Sequence, residues 1–306
     1  MPKADLGLPM QSAQQAFSSI LNGLSQVVLQ CHWGAGICIF IGILYNSFAM
    51  AAGVGVGVVS STGMAVLLKY DRGKINHGIY GFNGALVGLG LINFYELTVA
   101  VFLLIIAGAS VSTLIMRDME RRGLAPYTFP FVATMWLIMA LVSYFPFMSR
   151  KAVHVSIASQ IDVLSSLGMG FGQIMFQENA ISGLLFFMAI ALGSKRSAIY
   201  ALMGVFIGAA FSIIWSLPLN LINLGIYGFN AALCGIVFAL SRSEYRFFLA
   251  ITSMLISIGL MYGMSSVLHL PALTAPFVFS TWMLTKMSAG LEWRSTQFKG
   301  HHSGKR

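Results

Sequence analysis

The sequence predicts an all-α integral membrane protein built from two inverted repeats, each with five transmembrane helices and one re-entrant half-helix. Composition is the first observation: the mean hydropathy is +0.81, and the 306 residues are 57% hydrophobic but only 9% charged. No soluble domain could cover so much apolar surface. The second observation is an internal repeat, because INHGIYGFNGALVGLGL at 75–91 returns as INLGIYGFNAALCGIVF at 222–238. A repeated unit fixes the architecture before any element is assigned.

Other landmarks return in the same order along the chain. Gln26 returns as Gln173, 147 residues later, and LAPYTFPF at 124–131 returns as LPALTAPF at 270–277. We therefore divide the chain into two repeats with short flanking segments. The predicted divisions are a cytoplasmic N-terminal segment at 1–13, a first repeat at 14–147, a connector at 148–159, a second repeat at 160–290 and a cytoplasmic C-terminal tail at 291–306.

Within each half, charges and Gly, Pro and Asn residues separate one short segment from five spans. The short segments are 14–31 and 160–177. The predicted spans of the first half are 34–46, 48–69, 75–93, 97–116 and 127–147. Those of the second half are 181–194, 198–217, 221–240, 245–266 and 273–290.

Lysine and arginine positions test whether the short segments cross the membrane, since cytoplasmic loops carry an excess of both residues. If both segments enter the membrane and return to the side they came from, all 18 Lys and Arg residues except Arg150 and Lys151 lie on one side of the membrane. If both segments cross, the same residues divide 12 to 6. The re-entrant interpretation is favoured, and it places both termini in the cytoplasm.

Five spans in each half is an odd number, so the second copy enters the membrane upside down relative to the first. Inverted repeats place the substrate site near the midplane, where the two copies meet. A half-helix that ends inside the bilayer leaves carbonyl groups that are tolerated only within protein or beside a wet cavity. The ends of the two short segments therefore mark the expected site.

Two pairs of polar residues are candidates for that site. Gln26 and Gln173 lie near the inner ends of the short segments, and a buried amide needs hydrogen-bond partners. Each glutamine is either packed between helices or lines a pore, and its recurrence in both copies favours the pore. Thr128 and Thr274 each precede an Xaa-Pro-Phe sequence. Each threonine can cap a helix, accept a hydrogen bond from a solute at the midpoint, or do both.

Apolar residues at helical spacing are candidates for flat slots near the two mouths of the pore. Residues four apart share one helix face, so Phe82 lies with Leu86, and Phe229 with Leu233. Such stripes by themselves indicate a helix core. The residues expected to form the slots are Leu29, Phe82, Leu86, Phe176, Phe229 and Leu233.

Several functional classes are excluded by the sequence. The three cysteines are odd in number and lack CxxC spacing, so we expect no disulfide framework and no metal site. No cluster of histidine with carboxylate, nucleophile with base, or phosphate-binding loop is present, so we expect no enzyme and no cofactor. In a membrane protein the net charge of +9 reflects orientation rather than binding to nucleic acid. A path of amides, hydroxyls, carbonyls and aromatic faces suits passive permeation of a small neutral solute with several N–H donors.

The repeated motifs resemble those of the urea transporter family of bacteria and vertebrates. The resemblance covers roughly residues 20–290. It rests on QVVLQ with GQIMFQEN, GIYGFNGALVG with GIYGFNAALCG, and LAPYTFPF with LPALTAPF. It implies passive, channel-like urea transport by a multi-pass protein in contact with lipid in the plasma membrane, here a bacterial inner membrane. It also implies a homotrimer in which each protomer has its own pore.

By the same resemblance, Gln26 and Gln173 lie near the outer and inner sites. The narrow middle consists of Val27, Thr128, Ile174 and Thr274. One slot contains Phe82 and Leu86, and the other contains Phe176, Phe229 and Leu233.

The sequence departs from the family pattern at two places near one mouth. Leu29 stands where relatives usually carry phenylalanine, and Cys31-His32-Trp33 stands where they carry an Asn-Asn-Pro-like turn. One slot is therefore expected to be only half aromatic. Besides urea transport, two alternatives stay open: a channel for ammonia or short amides, and a non-conducting membrane sensor or scaffold of the same fold.

Overall fold

A computed structural model describes residues 8–145, 148–152, 160–267 and 271–287. Within these ranges the chain is helical and contains no β-strand, which confirms the predicted all-α class. The predicted connector is described only at 148–152, and the predicted tail at 291–306 lies outside the described residues.

The helices follow the predicted order in both halves. The first half contains α1 (Leu8–Gln26), α2 (Trp33–Asn46), α3 (Phe48–Leu67), α4 (Arg72–Asn76), α5 (Phe82–Phe94), α6 (Val99–Arg121) and α7 (Phe129–Tyr144). The second half contains α8 (Val163–Gly172), α9 (Ala180–Gly193), α10 (Lys195–Ile214), α11 (Leu219–Asn223), α12 (Phe229–Leu240) and α13 (Arg246–Tyr262). Helix α14 spans residues 275–287.

The backbone repeats as closely as the sequence does. Helix α2 begins at Trp33 and ends at Asn46, and α9 begins and ends 147 residues later, at Ala180 and Gly193. The same displacement relates both ends of α3 to those of α10, and both ends of α4 to those of α11. The two halves are therefore structural copies, while their opposite insertion into a membrane stays a prediction.

A single serine separates the second and third helices of each half. The Ser47 N–H donates to the Ile43 carbonyl and ends α2, while the Ser47 hydroxyl accepts from the Met50 N–H and begins α3. Ser194 does the same between α9 and α10. Because serine serves well as an N-cap, one residue is enough to end one helix and begin the next.

The third span of each half differs from the prediction. Residues 75–93 and 221–240 were expected to form continuous helices, but each begins with a short helix, α4 or α11, followed by a turn. The turns contain Gly78 at φ +75° and Gly225 at φ +67°. A Cβ atom on either glycine would overlap the backbone of the helix beside it, α1 or α8. The turn therefore requires glycine, and α5 and α12 begin only after it.

Four of the described helices are individually long and apolar enough to cross a membrane: Phe48–Leu67, Val99–Arg121, Lys195–Ile214 and Arg246–Ser265. A bent pair, Val163–Met175 with Ala180–Gly193, turns by 70° and counts as a fifth if it forms one span. These helices support a multi-pass membrane protein. The predicted number of ten spans, and the return of each half-helix to its own side, stay predictions.

The two halves meet through pairs of contacts that repeat across the interface. The Trp136 indole donates to the Pro271 carbonyl at 2.9 Å, and the Trp282 indole donates to the Ala125 carbonyl at 2.7 Å. Each tryptophan therefore ties its own helix, α7 or α14, to the loop that begins the other one. Elsewhere α2 packs against α9. These contacts bring the beginnings of α7 and α14 together.

Candidate functional site

The two predicted threonines meet between the halves. The Oγ1 atoms of Thr128 and Thr274 lie 2.7 Å apart in a hydrogen bond, and the two residues are only 2% and 3% exposed. Thr128 occupies the N-cap position of α7, but its side chain makes no capping hydrogen bond. The hydroxyl is used across the interface, so capping does not account for Thr128.

Two asparagines that sequence reasoning missed take over the capping role. Asn83 Oδ1 accepts from the Phe131 N–H at 3.0 Å, and Asn83 Nδ2 donates to the Tyr127 carbonyl at 3.3 Å. The amide therefore bridges the residues on either side of Thr128. In the other half Asn230 makes the same bridge to Phe277 N at 3.2 Å and Leu273 O at 3.2 Å. Their recurrence in the motif GIYGFN was the available signal, which we used only to mark the repeat.

Helices α1 and α8 are each followed by a left-handed turn formed by a bulky residue. Leu29 and Phe176, which are 147 residues apart, both have φ +57°. The next residue closes the turn in each case, because Gln30 N donates to Ser25 O and Gln177 N donates to Gly172 O, both at 3.0 Å. This closure is that of a Schellman cap, where glycine is the usual left-handed residue. A leucine and a phenylalanine are therefore held in a costly conformation at matching points of the predicted site.

The two predicted glutamines differ in their surroundings. Gln26 is half-buried, and its Nε2 donates to the His77 carbonyl at 2.9 Å. Gln173 is only 7% exposed, and within the described ranges its Nε2 has no hydrogen-bond partner. An unpaired buried amide N–H costs free energy, so Gln173 is the glutamine that still lacks an acceptor.

The residues predicted to form the slots are buried or half-buried. Phe176 packs edge-on against Phe94 and Phe131 of the first half, with ring centroids 5.9 and 6.2 Å apart. Helix α12 packs against α8 and the turn at Gln173–Met175, and α5 packs against α1. The predicted site residues that are buried on or beside these elements are Val27, Phe82, Leu86, Ile174, Phe229 and Leu233.

The departures from the family pattern have a local structural role. His32 occupies the N-cap of α2, where its Nδ1 accepts from the Ala35 N–H at 3.2 Å. Asn179 holds the matching position in the second half and caps α9 with its side-chain oxygen. Histidine thus replaces asparagine as a hydrogen-bond acceptor. Cys31 and Trp33 beside it are exposed.

A charged cluster lies next to the first-half turn and has no equivalent in the second half. Lys74 Nζ lies 2.9 Å from Glu120 Oε1, and the Tyr80 hydroxyl donates to Glu120 Oε2 at 2.8 Å. These bonds fix α4 to α6, and α4 leads directly to the His77 carbonyl that holds Gln26. The residues 147 positions after Lys74 and Glu120 are leucine and valine. Within the described ranges no group of three or more potential metal ligands occurs.

Comparisons with known proteins agree with this arrangement. The sequence model described as "Urea transporter" matches residues 17–289. The chain is 28% identical to Urea transporter 1 of Mus musculus over 285 residues, which covers 86% of this chain and 74% of the relative. It is 29% identical to Urea transporter 1 of Capra hircus over 292 residues, which covers 88% of this chain and 76% of the relative. The chain belongs to the urea transporter family.

Proposed function

We propose that this chain conducts urea passively through a path between its two halves, and that Thr128 and Thr274 form the narrowest point. Membership of the family supports urea as the substrate and a channel-type transporter rather than an enzyme. The observation that carries the path is the buried hydroxyl contact of 2.7 Å between the two halves. A channel for ammonia or short amides, and a non-conducting sensor, are less favoured.

The chemistry of the proposed path matches urea, which has one carbonyl acceptor and two amino groups. A solute that leaves water needs its hydrogen bonds replaced, because unpaired polar groups are costly in an apolar medium. The hydrogen bonds that close the two turns are accepted by Ser25, Gln26, Val28, Gly172, Gln173 and Met175. None of them uses the carbonyl of Val27 or of Ile174, which supports both oxygens as acceptors for urea N–H groups.

The flat faces of the slots would hold urea while its edges meet these polar groups. Phe82 and Leu86 supply one apolar surface, and Phe176, Phe229 and Leu233 supply the other. Gln173 Nε2, buried without a partner in the described ranges, is positioned as a donor to the urea carbonyl. Gln26 Nε2 already donates to His77, so it offers only its second N–H. The two mouths are therefore proposed to bind urea unequally.

At the centre the threonine hydroxyls exchange their mutual bond for bonds to urea. A hydroxyl carries one donor and two acceptor positions, so each threonine can accept from a urea amino group, and afterwards one of the two hydroxyls can again donate to the other. We propose no coupling ion, because the proposed path residues are uncharged. Flux then follows the urea gradient alone.

The location and assembly of the protein are also part of the proposal. We propose that it lies in a bacterial inner membrane with both termini in the cytoplasm, because the distribution of lysines and arginines supports that orientation. We further propose a homotrimer with one path in each protomer, by analogy with the family.

Flux into proteoliposomes tests the proposed function. We expect urea uptake down its gradient that is faster than in empty liposomes and unchanged when sodium, the proton gradient and ATP are each omitted. Acetamide, formamide and methylammonium serve as competitors. Competition by methylammonium with little effect of the amides would favour the ammonia channel, and uptake equal to that of empty liposomes would reject conduction.

A further inference from the structure

We propose that Asn83 and Asn230 are positioning residues that hold Thr128 and Thr274 in register, and thereby set the preference of the channel for urea over amides with fewer N–H donors. This inference rests on the proposed function. It adds two residues that do not need to touch the solute.

Each asparagine fixes the turn that carries one threonine. Asn83 spans Thr128 by bonding the Tyr127 carbonyl on one side and the Phe131 N–H on the other. Asn230 spans Thr274 in the same way. Both asparagines are 1% exposed, so water does not compete for these bonds. The position of each hydroxyl is thus determined by an amide on a neighbouring helix.

Because the asparagine amides accept the capping hydrogen bonds, the threonine side chains are not needed as N-caps. An N-cap side chain normally accepts from the N–H two or three residues into the helix. Phe131, three residues after Thr128, already donates to Asn83. Tyr127 and Leu273, which precede the threonines, have φ +45° and +49°, so both turns adopt the left-handed conformation that the amides brace. Because the N–H group three residues after each threonine already has an acceptor, each threonine hydroxyl is free to face the other half.

The hydrogen-bonding capacity of the asparagines is used within the protein. An asparagine amide has two N–H donors and one carbonyl acceptor. Besides the bridges, Asn83 Nδ2 lies 3.8 Å from Met116 Sδ, and Asn230 Nδ2 lies 3.6 Å from Met261 Sδ. A role in holding neighbours therefore fits these residues better than direct binding of a solute.

The same helices connect the slots to the centre. Asn83 directly follows Phe82 on α5, and Asn230 directly follows Phe229 on α12. One helix thus carries a slot residue and, as the very next residue, the side chain that supports the threonine turn. Replacing the asparagine removes that support and leaves the slot residue itself unchanged.

The test is the ratio of urea to acetamide permeability in proteoliposomes. Acetamide resembles urea but has a methyl group in place of one amino group, and a site built to bond an N–H discriminates against a solute that lacks it. In Asn83→Leu and, separately, in Asn230→Leu, we expect this ratio to fall about tenfold, the effect of losing one well-placed hydrogen bond. A loss of folded protein alone lowers both permeabilities in proportion and leaves their ratio unchanged.

Asn223→Leu is the matched control. Asn223 also bridges a backbone N–H, of Asp162, and a backbone carbonyl, of Gln160, but it does so away from the threonines. We expect this variant to keep the urea preference of the unsubstituted protein. If either folded Asn variant keeps that preference, or if the unsubstituted protein shows none, the inference is wrong. Absence of urea flux in the unsubstituted protein would instead reject the proposed function.

Discussion

Replacing Thr128 with phenylalanine is expected to reduce urea flux to the level of empty liposomes. Thr128 and Thr274 are both nearly fully buried, and their side chains already touch. Close-packed interiors contain little spare volume, so a ring at this position would fill the space in which the two threonine hydroxyls meet. The measurement is the stopped-flow rate of urea equilibration, normalised to the amount of folded protein in the liposomes.

Thr128→Val separates the hydroxyl from the volume of the side chain. Valine keeps the shape of threonine and removes the oxygen, so we expect urea flux to fall about tenfold rather than to vanish. Capping of α7 should not change, since Asn83 already supplies it, but the free energy of unfolding should fall by about 1–3 kcal/mol, because the buried Thr274 hydroxyl loses its partner. A sensor or scaffold that does not conduct would tolerate both substitutions. Undiminished flux in Thr128→Phe would contradict a path through this contact.

Replacing Phe176 with leucine is expected to weaken urea binding at one mouth by up to about tenfold. Phe176 is held edge-on by Phe94 and Phe131, so its ring has a fixed orientation. Losing one aromatic contact to urea, worth about 0.5–1.5 kcal/mol as between aromatic side chains, corresponds to a weakening of up to about tenfold. Leucine at this position should not disturb the backbone, because Leu29 has the same φ of +57° at the matching turn. The measurement is the urea concentration that gives half-maximal flux.

Leu29→Phe is the reciprocal variant. It adds a second aromatic face to the mouth that the sequence predicts to be only half aromatic, so we expect the half-maximal urea concentration to fall. The two variants together test whether urea binding depends on a flat aromatic face or only on the presence of an apolar side chain. An unchanged half-maximal concentration in Phe176→Leu would show that the aromatic face does not bind urea.

The sequence was informative for several features that recur in both halves. The matching threonines led to a contact that the structure contains, and the helix boundaries at Ser47 lie where the predicted spans separate. The sequence also predicted that the two short segments end near Gln26 and Gln173. Repetition works in this way because a chance motif does not recur at a constant displacement in the same order.

The missed features depend on contacts between segments that are distant in the chain. The Asn83 bridge joins residues more than 40 positions apart, so no local pattern marks it. The break at Gly78 is caused by the backbone of α1, and a hydrophobic run of that length is equally consistent with a continuous helix. The cluster of Lys74 and Glu120 is absent from the second half, so the repeat gave no guide to it.

The most direct test of the central claim is a reversible cross-link at the contact between the halves. Thr128→Cys and Thr274→Cys are combined in a background in which Cys31, Cys38 and Cys234 are replaced by serine. Oxygens 2.7 Å apart place the replacing thiols within reach of a disulfide. We predict that oxidation stops urea flux and that reduction with dithiothreitol restores it. A bridge that is verified by mass spectrometry while flux continues, or two thiols that fail to join, would contradict the account.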